Sequence, residues 1–176
     1  RAENGKMPAG TDHVVMLVKE NCEENVEARQ YEHTSDNNYW VVKPDSSCGL
    51  EIASPPLRGW RGIRKVCQVV HAFGKDPKIE VDKRCSVHIH VEVADLEMEQ
   101  IGSVISHWIK CEPVFMDLVP PSRKRNRYCQ LMGMTNLFDH EHVYTPQNLI
   151  DKIGDTKYYS LNTNQMKRTN YVRKTL

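Results

Sequence analysis

The chain has 176 residues, 39% of them hydrophobic, with only 9 Gly and 9 Pro, which suits one globular domain with a sizeable core. Lys+Arg 24 against Asp+Glu 23 leaves a net charge of +1, so no global field draws in nucleic acid or an anionic membrane, and neither is expected as a partner. The mean hydropathy is -0.61 and the longest apolar runs fall far short of the roughly 20 residues that cross a bilayer.

Residues 1–12 read as a polar arm without a signal-peptide core. Residues 14–19 read as a short helix and residues 25–31 as a strand. After the polar loop 33–38 the aromatic and β-branched run 39–43 predicts a strand ended by Pro44-Asp45-Ser46-Ser47. A short strand at 50–53 stops at Pro55-Pro56. Over 60–73, Ile63, Val66, Cys67 and Val70 fall at helical spacing, which predicts an amphipathic helix with that stripe in the core and Gly74 as its stop. Residues 78–82 and 86–93 read as a hairpin around Lys83-Arg84. Asp95 is expected to cap a second helix, with Ile101, Val104, Ile105, Trp108 and Ile109 as its apolar stripe. Pro120-Pro121 breaks the chain before the basic stretch 122–128. Thr145-Pro146 opens a short helix ending at Gly154, and 158–162 and 171–176 read as closing strands.

Six cysteines, Cys22, Cys48, Cys67, Cys85, Cys111 and Cys129, are widely spaced and form no CxxC pair. That usage suits reduced thiols and predicts a cytoplasmic protein. The mixture of helices and strands, without an internal repeat, predicts the α+β class.

Three places could carry chemistry. In Val87-His88-Ile89-His90-Val91-Glu92-Val93 the strand period puts the four apolar residues on the core face and His88, His90 and Glu92 together on the other. A solvated strand that happens to hold histidines is the equally simple alternative. Asp45 and Glu51 bracket a turn, and two carboxylates suit a hard divalent cation, although a turn Asp and an exposed strand Glu explain them as well. Residues 120–128 collect Arg123, Lys124, Arg125 and Arg127 around Asn126, which fits a phosphate clamp, a nucleic-acid patch or a plain solvated loop. No Walker loop or GxGxxG is present, so a glycine-cradled nucleotide site is not supported.

The combination of these segments resembles the amidoligase family, distant relatives of glutamine synthetase and glutamate-cysteine ligase. The resemblance rests on Tyr31-Glu32-His33-Thr34, Tyr39-Trp40-Val41-Val42 and Asp45-Ser46-Ser47 leading into GLEIASPPLRGW at 49–60. It continues through CSVHIHVEVADL at 85–96, EPVFMDLVPPSRKRNRYC at 112–129, KYYSLNT at 157–163 and RKTL at 173–176. It assigns 31–176 to the amidoligase-like core and leaves 1–30, an arm with a first helix and strand, poorly matched.

What the resemblance implies is a glutamine-synthetase-like antiparallel sheet with an open ligand-binding face and helices packed behind. The implied reaction joins a carboxylate to an amine through an acyl phosphate, using ATP and Mg2+ or Mn2+. Its carboxylate would be an amino acid, a peptide or a protein tail. By the same resemblance Asp45, Glu51 and His88 would bind metal; His88, His90, Arg123 and Asn126 would contact nucleotide; and Glu51 and Arg123 would be catalytic. Ser86-Val87 replaces the family's glycine before the first strand histidine. A Glu-x-Glu strand is not found in 1–26, and Glu-Phe-Arg does not follow Thr175-Leu176. These departures predict a fragment, or a derivative that keeps the fold as a non-catalytic binding or assembly module, and an oligomer or strand-completing partner. A small zinc or nucleic-acid module using Cys85, His88, His90 and the arginine cluster of 122–128 is a third reading.

Overall fold

The first element of the computed structural model is helix α1, Thr11–Cys22, which extends three residues beyond the expected 14–19 at each end. Val14, Val18 and Cys22 recur every four residues and are buried, so one side of α1 enters the core. The structure describes residues 7–31, 38–124, 126–128, 130–132, 145–153, 158–164 and 166. The chain forms two units, Arg1–Val87 and His88–Leu176.

In the first unit, strands β1 (Val26–Ala28), β2 (Trp40–Asp45) and β3 (Gly49–Ala53) form a three-stranded sheet in that order. β2 runs antiparallel to β3 and parallel to β1, so the sheet is mixed where an antiparallel one was expected. β2 also continues through Pro44, which composition marks as its end. Trp40 N–H donates to Asn25 and Val42 O accepts from Arg29, so even-numbered backbone groups of β2 point toward β1. Because β1 pairs no further than Val42, Pro44 lacks its N–H only where no ladder remains.

Strand alternation divides the sheet. Trp40, Val42, Leu50 and Ile52 pack with Val14, Val18 and Cys22 of α1 and with Val69 of helix α2, Gly59–Lys75. Helices α1 and α2 therefore cover one face. His13 Nε2 lies 2.8 Å from Asp76 Oδ2, and Lys65 pairs with Glu24, which ties α2 to α1 at both ends. The helix at 59–75 is the expected one, but its buried face is not. Ile63 and Val70 are exposed, as are Val66 and Cys67, while Gly62 and Val69 are buried and Phe73 is partly so. Two apolar stripes run along this helix. Gly62 selects between them, because a Cβ there would lie 2.7 Å from Leu57 Cβ, so only the glycine face can approach the Pro55-Pro56-Leu57 link so closely.

Residues 78–93 form no strand. Val87, Ile89 and Val91 are exposed at 76%, 83% and 74%, against the expected core placement; only Val93 packs against a buried cluster. An isolated two-stranded ribbon is marginal in water, and alternation alone supplies no neighbour to pair with.

In the second unit, helix α3 runs Met98–Leu118 and is capped by Glu97, not Asp95. Glu97 N–H donates to Gln100 Oε1 at 2.8 Å, and the Glu97 side chain accepts from the Gln100 backbone, completing a capping box. Ile101 and Ile105 are buried and Trp108 and Ile109 partly so, as the stripe predicts, but Val104 is exposed. They pack with Leu149, Ile150 and Ile153 of helix α4, Pro146–Ile153, and with Met132. Thr145 Oγ1 accepts from Asn148 N–H at 3.2 Å, so Thr145-Pro146 opens α4 as its sequence predicts. Gly154 lies outside the described residues, as does 171–176. Residues 158–162 form only an isolated bridge, Gln130 with Tyr159, in place of a strand.

Gly102 sets the spacing of α3 and α4. A Cβ on it would stand 2.9 Å from Pro146 Cγ and 3.0 Å from Pro146 Cβ, and a proline ring cannot swing aside. Overpacking costs about 1–3 kcal/mol against a helix-propensity gain of about 1 kcal/mol. Gly102→Ala is therefore expected to lower the thermal midpoint by about 2–4 °C. Scanning calorimetry of the two proteins checks this, and a stabilised alanine variant would contradict the close packing.

The class is α+β, with four helices and one small sheet among the described residues. No helix there is long and apolar enough to cross a membrane.

Candidate functional site

The face of the first unit's sheet opposite α1 and α2 is built by register. Lys43 pairs with Glu51 and Asp45 with Gly49 across β2 and β3, while Glu27 of β1 stands beside Val41. Odd-numbered residues of β2 share one side, so Glu27, Lys43, Asp45 and Glu51 all belong to this face. Asp45 and Glu51 are diagonal neighbours, with Cα atoms about 7–8 Å apart in such a pairing.

Glu51 is exposed, as its position between Leu50 and Ile52 predicts. Its Oε1 lies 3.6 Å from Nζ of Lys43, a lysine only 5% exposed. Burying an ammonium is costly without an anion nearby, and Glu51 is one such anion for Lys43. Lys43 and Glu27 did not stand out in the sequence. Their signal was the same alternation that exposed Glu51: position 43 lies two residues before Asp45 on the same side. Glu27 accepts from Arg29 Nη2 at 2.8 Å.

Asp45 anchors the β2–β3 turn. Its Oδ1 accepts from the Ser47 hydroxyl, from Ser47 N–H at 2.7 Å, from Cys48 N–H at 3.1 Å and from the Cys48 thiol at 3.5 Å. Gly49 closes the turn at φ 96°, a conformation that favours glycine. The Ser47 hydroxyl is the main cause that holds the Asp45 carboxyl below the usual aspartate range; the Ser47 and Cys48 amides add to it, against burial. Burial, with the nearby Asp45 charge, pushes the Cys48 thiol up. A depressed folded value means the ionised turn contributes its full stability above the unfolded aspartate value, about 3.9, and loses it as pH falls through the folded value. Between pH 7 and pH 2, Asp45→Asn should therefore lose less stability than the parent. Chemical denaturation at several pH values tests this, and parallel profiles would refute the role of Asp45 in the turn.

In the second unit, His88 and His90 lie exposed in irregular chain. The strand that would have aligned them on one face is not formed. Arg123 and Asn126 share one turn: Arg123 N–H donates to Pro120 O at 2.8 Å, and Asn126 N–H donates to Arg123 O at 3.2 Å. Both ends of the Asn126 amide hold backbone, Nδ2 donating to Ser122 O at 3.4 Å and Oδ1 accepting from Tyr128 N–H at 2.8 Å. Asn126 thus shapes the loop that presents Arg123. Lys124 pairs with Asp117 at 3.1 Å, and Arg127 stacks over Tyr128 with 4.7 Å to the ring centre.

Among the described residues no three His, Cys, Asp or Glu side chains are grouped closely enough to hold a metal ion. Two carboxylates on adjacent strands still suit a hard cation that completes its oxygen shell from phosphate and water. Since Asp45 Oδ1 is taken up by its turn, Glu51 is the more available donor.

The family model described as "Putative amidoligase enzyme" matches residues 6–175. The chain belongs to this amidoligase family. Neither curated proteins nor solved structures give a match to it. For an amidoligase, the feature to explain is how a small sheet gathers charge on the side opposite its helices. The β2–β3 hairpin does so by placing Asp45, Lys43 and Glu51 on alternate positions of two paired strands.

Proposed function

We propose that this amidoligase is an ATP-dependent ligase that joins a carboxylate to an amine through an acyl phosphate, within a glutamine-synthetase-like fold. The observation that carries this reading is the pair Asp45 and Glu51 on one sheet face beside Lys43, opposite the helices. Family membership supports it.

In this reading Glu51 and Asp45 would hold Mg2+ or Mn2+. A cation held there would neutralise charge on the phosphoryl group that ATP donates. The chain's own part is positioning. The hairpin fixes the two carboxylates relative to each other through five registered pairs and the Asp45 turn. Arg123 offers a planar fork of donors matched to phosphate oxygens, on a turn held by Asn126. His88 and His90 are assigned to nucleotide contact, which suits imidazole better than Mg2+ ligation does, although Mn2+ would accept His88. The protein acts in the cytoplasm on an amino acid, a peptide or a protein tail.

Incubation with ATP, divalent metal, candidate carboxylates and hydroxylamine in place of the amine should release phosphate and form a hydroxamate, which traps an activated acyl group. Failure to release phosphate with any carboxylate would count against the ligase. A folded protein without turnover would instead favour the non-catalytic assembly module.

A further inference from the structure

We infer that the first unit carries a second, separate anion site: a cleft at the start of α2 that binds a small phosphate- or carboxylate-bearing ligand through Arg58 and Arg61. The cleft has a volume of about 370 Å3 and is lined by Arg58, Arg61 and Lys65 together with Glu24, Asn38 and the prolines of the Pro55-Pro56 link. None of these residues belongs to the face that holds Asp45 and Glu51.

Among the described residues that line the cleft, three cations stand against one carboxylate. Positions 58, 61 and 65 are three and four residues apart, so the cations line one side of the helix start. Glu24 pairs with Lys65 and answers its charge. Among the described residues Arg58 and Arg61 form no ion pair, so two guanidinium groups line the same cleft as the Lys65–Glu24 pair. The helix end adds to this: α2 has no side-chain cap and no acidic residue in its first turn. Its first amides and the positive end of its dipole are thus uncompensated.

The geometry favours a compact oxyanion over a polymer. An arginine fork matches the paired oxygens of a phosphate or a carboxylate, and the cleft is of small-molecule size. The inference does not depend on ligase chemistry, since it needs neither nucleotide nor metal.

Calorimetric titration of the full chain, without metal or nucleotide, with inorganic pyrophosphate in one arm and glutarate in the other tests it. Saturable binding in at least one arm is expected, and the arm that binds identifies the anion. Arg58→Gln and Arg61→Gln should each weaken binding about tenfold, and affinity should fall as salt rises. Both arginines are exposed, so circular dichroism should show the variants folded. Arg64→Gln removes a cation from α2 outside the cleft lining and should leave affinity unchanged. No saturable binding in either arm, or equal weakening by Arg64→Gln, would overturn the site.

Discussion

Glu51→Gln is expected to lower metal-dependent phosphate release at least about 100-fold while leaving the fold intact. Even groups that only support a metal ligand change activity by about 10–100-fold, and a ligand itself should exceed that. The substitution keeps size and hydrogen bonding but removes the charge that a divalent cation needs. It also removes an anion paired with Lys43, whose side chain is only 6% exposed. A modest stability loss of about 1 kcal/mol is therefore expected alongside the loss of turnover. The two effects separate cleanly: Glu51→Asp keeps the charge for Lys43 but shortens the reach, so it should restore stability more fully than activity. Turnover and urea midpoints measured on the three proteins check this. Full turnover in Glu51→Gln would remove Glu51 from the site.

How far such a site can be read from sequence depends on which signal carries each part. The hairpin that places Asp45 and Glu51 was legible because two short alternating runs flank a turn rich in Ser and Gly, and that pattern has one reasonable pairing. Helix α4 was legible because Thr145 and Pro146 form a local start signal. The burial of α2 was not. Periodicity reveals an apolar stripe but not which of two adjacent stripes meets the core, and that choice fell to Gly62 and its approach to Leu57. The segment 86–93 shows the converse limit. Its alternation is as regular as that of β3, yet strand formation needs a paired neighbour, and Val87, Ile89 and Val91 remain exposed. His88 and His90 therefore owe their assignment to family resemblance, whereas Glu51 also has an observed place on a sheet face.

Glu112 was missed altogether, though a signal existed. Ile101, Ile105, Trp108, Glu112 and Met116 follow helical spacing along one side of α3, so a carboxylate occupies a core position of the stripe. A charged residue in a helix is usually solvated, and that expectation hid it.

Loss of this carboxylate is expected to be the most destabilising single change considered for the second unit. Glu112 is 1% exposed, and its Oε1 accepts from Met132 N–H at 2.9 Å and from the Ser160 hydroxyl. Trp108 Nε1 in turn donates to Ser160 Oγ at 3.0 Å. One acid thus ties α3 to two chain segments that form no regular element with it, at 132 and at 160. The next residue, Pro113, lacks the N–H that would continue the helix ladder to Ile109, so this turn of α3 depends more on side-chain bonds. Glu112→Leu fills the space but strands a buried amide and a hydroxyl, each costing about 1–3 kcal/mol when unpaired. A loss of about 3 kcal/mol follows, or roughly 6–12 °C in thermal midpoint. Glu112→Gln retains an acceptor oxygen and should lose about 1 kcal/mol. Ser160→Ala should fall between the parent and Glu112→Leu, and the double variant should be less destabilised than the sum of the two, because they break a shared bond. Near-ultraviolet circular dichroism, which senses Trp108 through its contact with Ser160, should weaken in step with the midpoint. Strict additivity of Glu112→Leu and Ser160→Ala would show that the carboxylate and the hydroxyl act independently, and the network would then not be what holds this unit together.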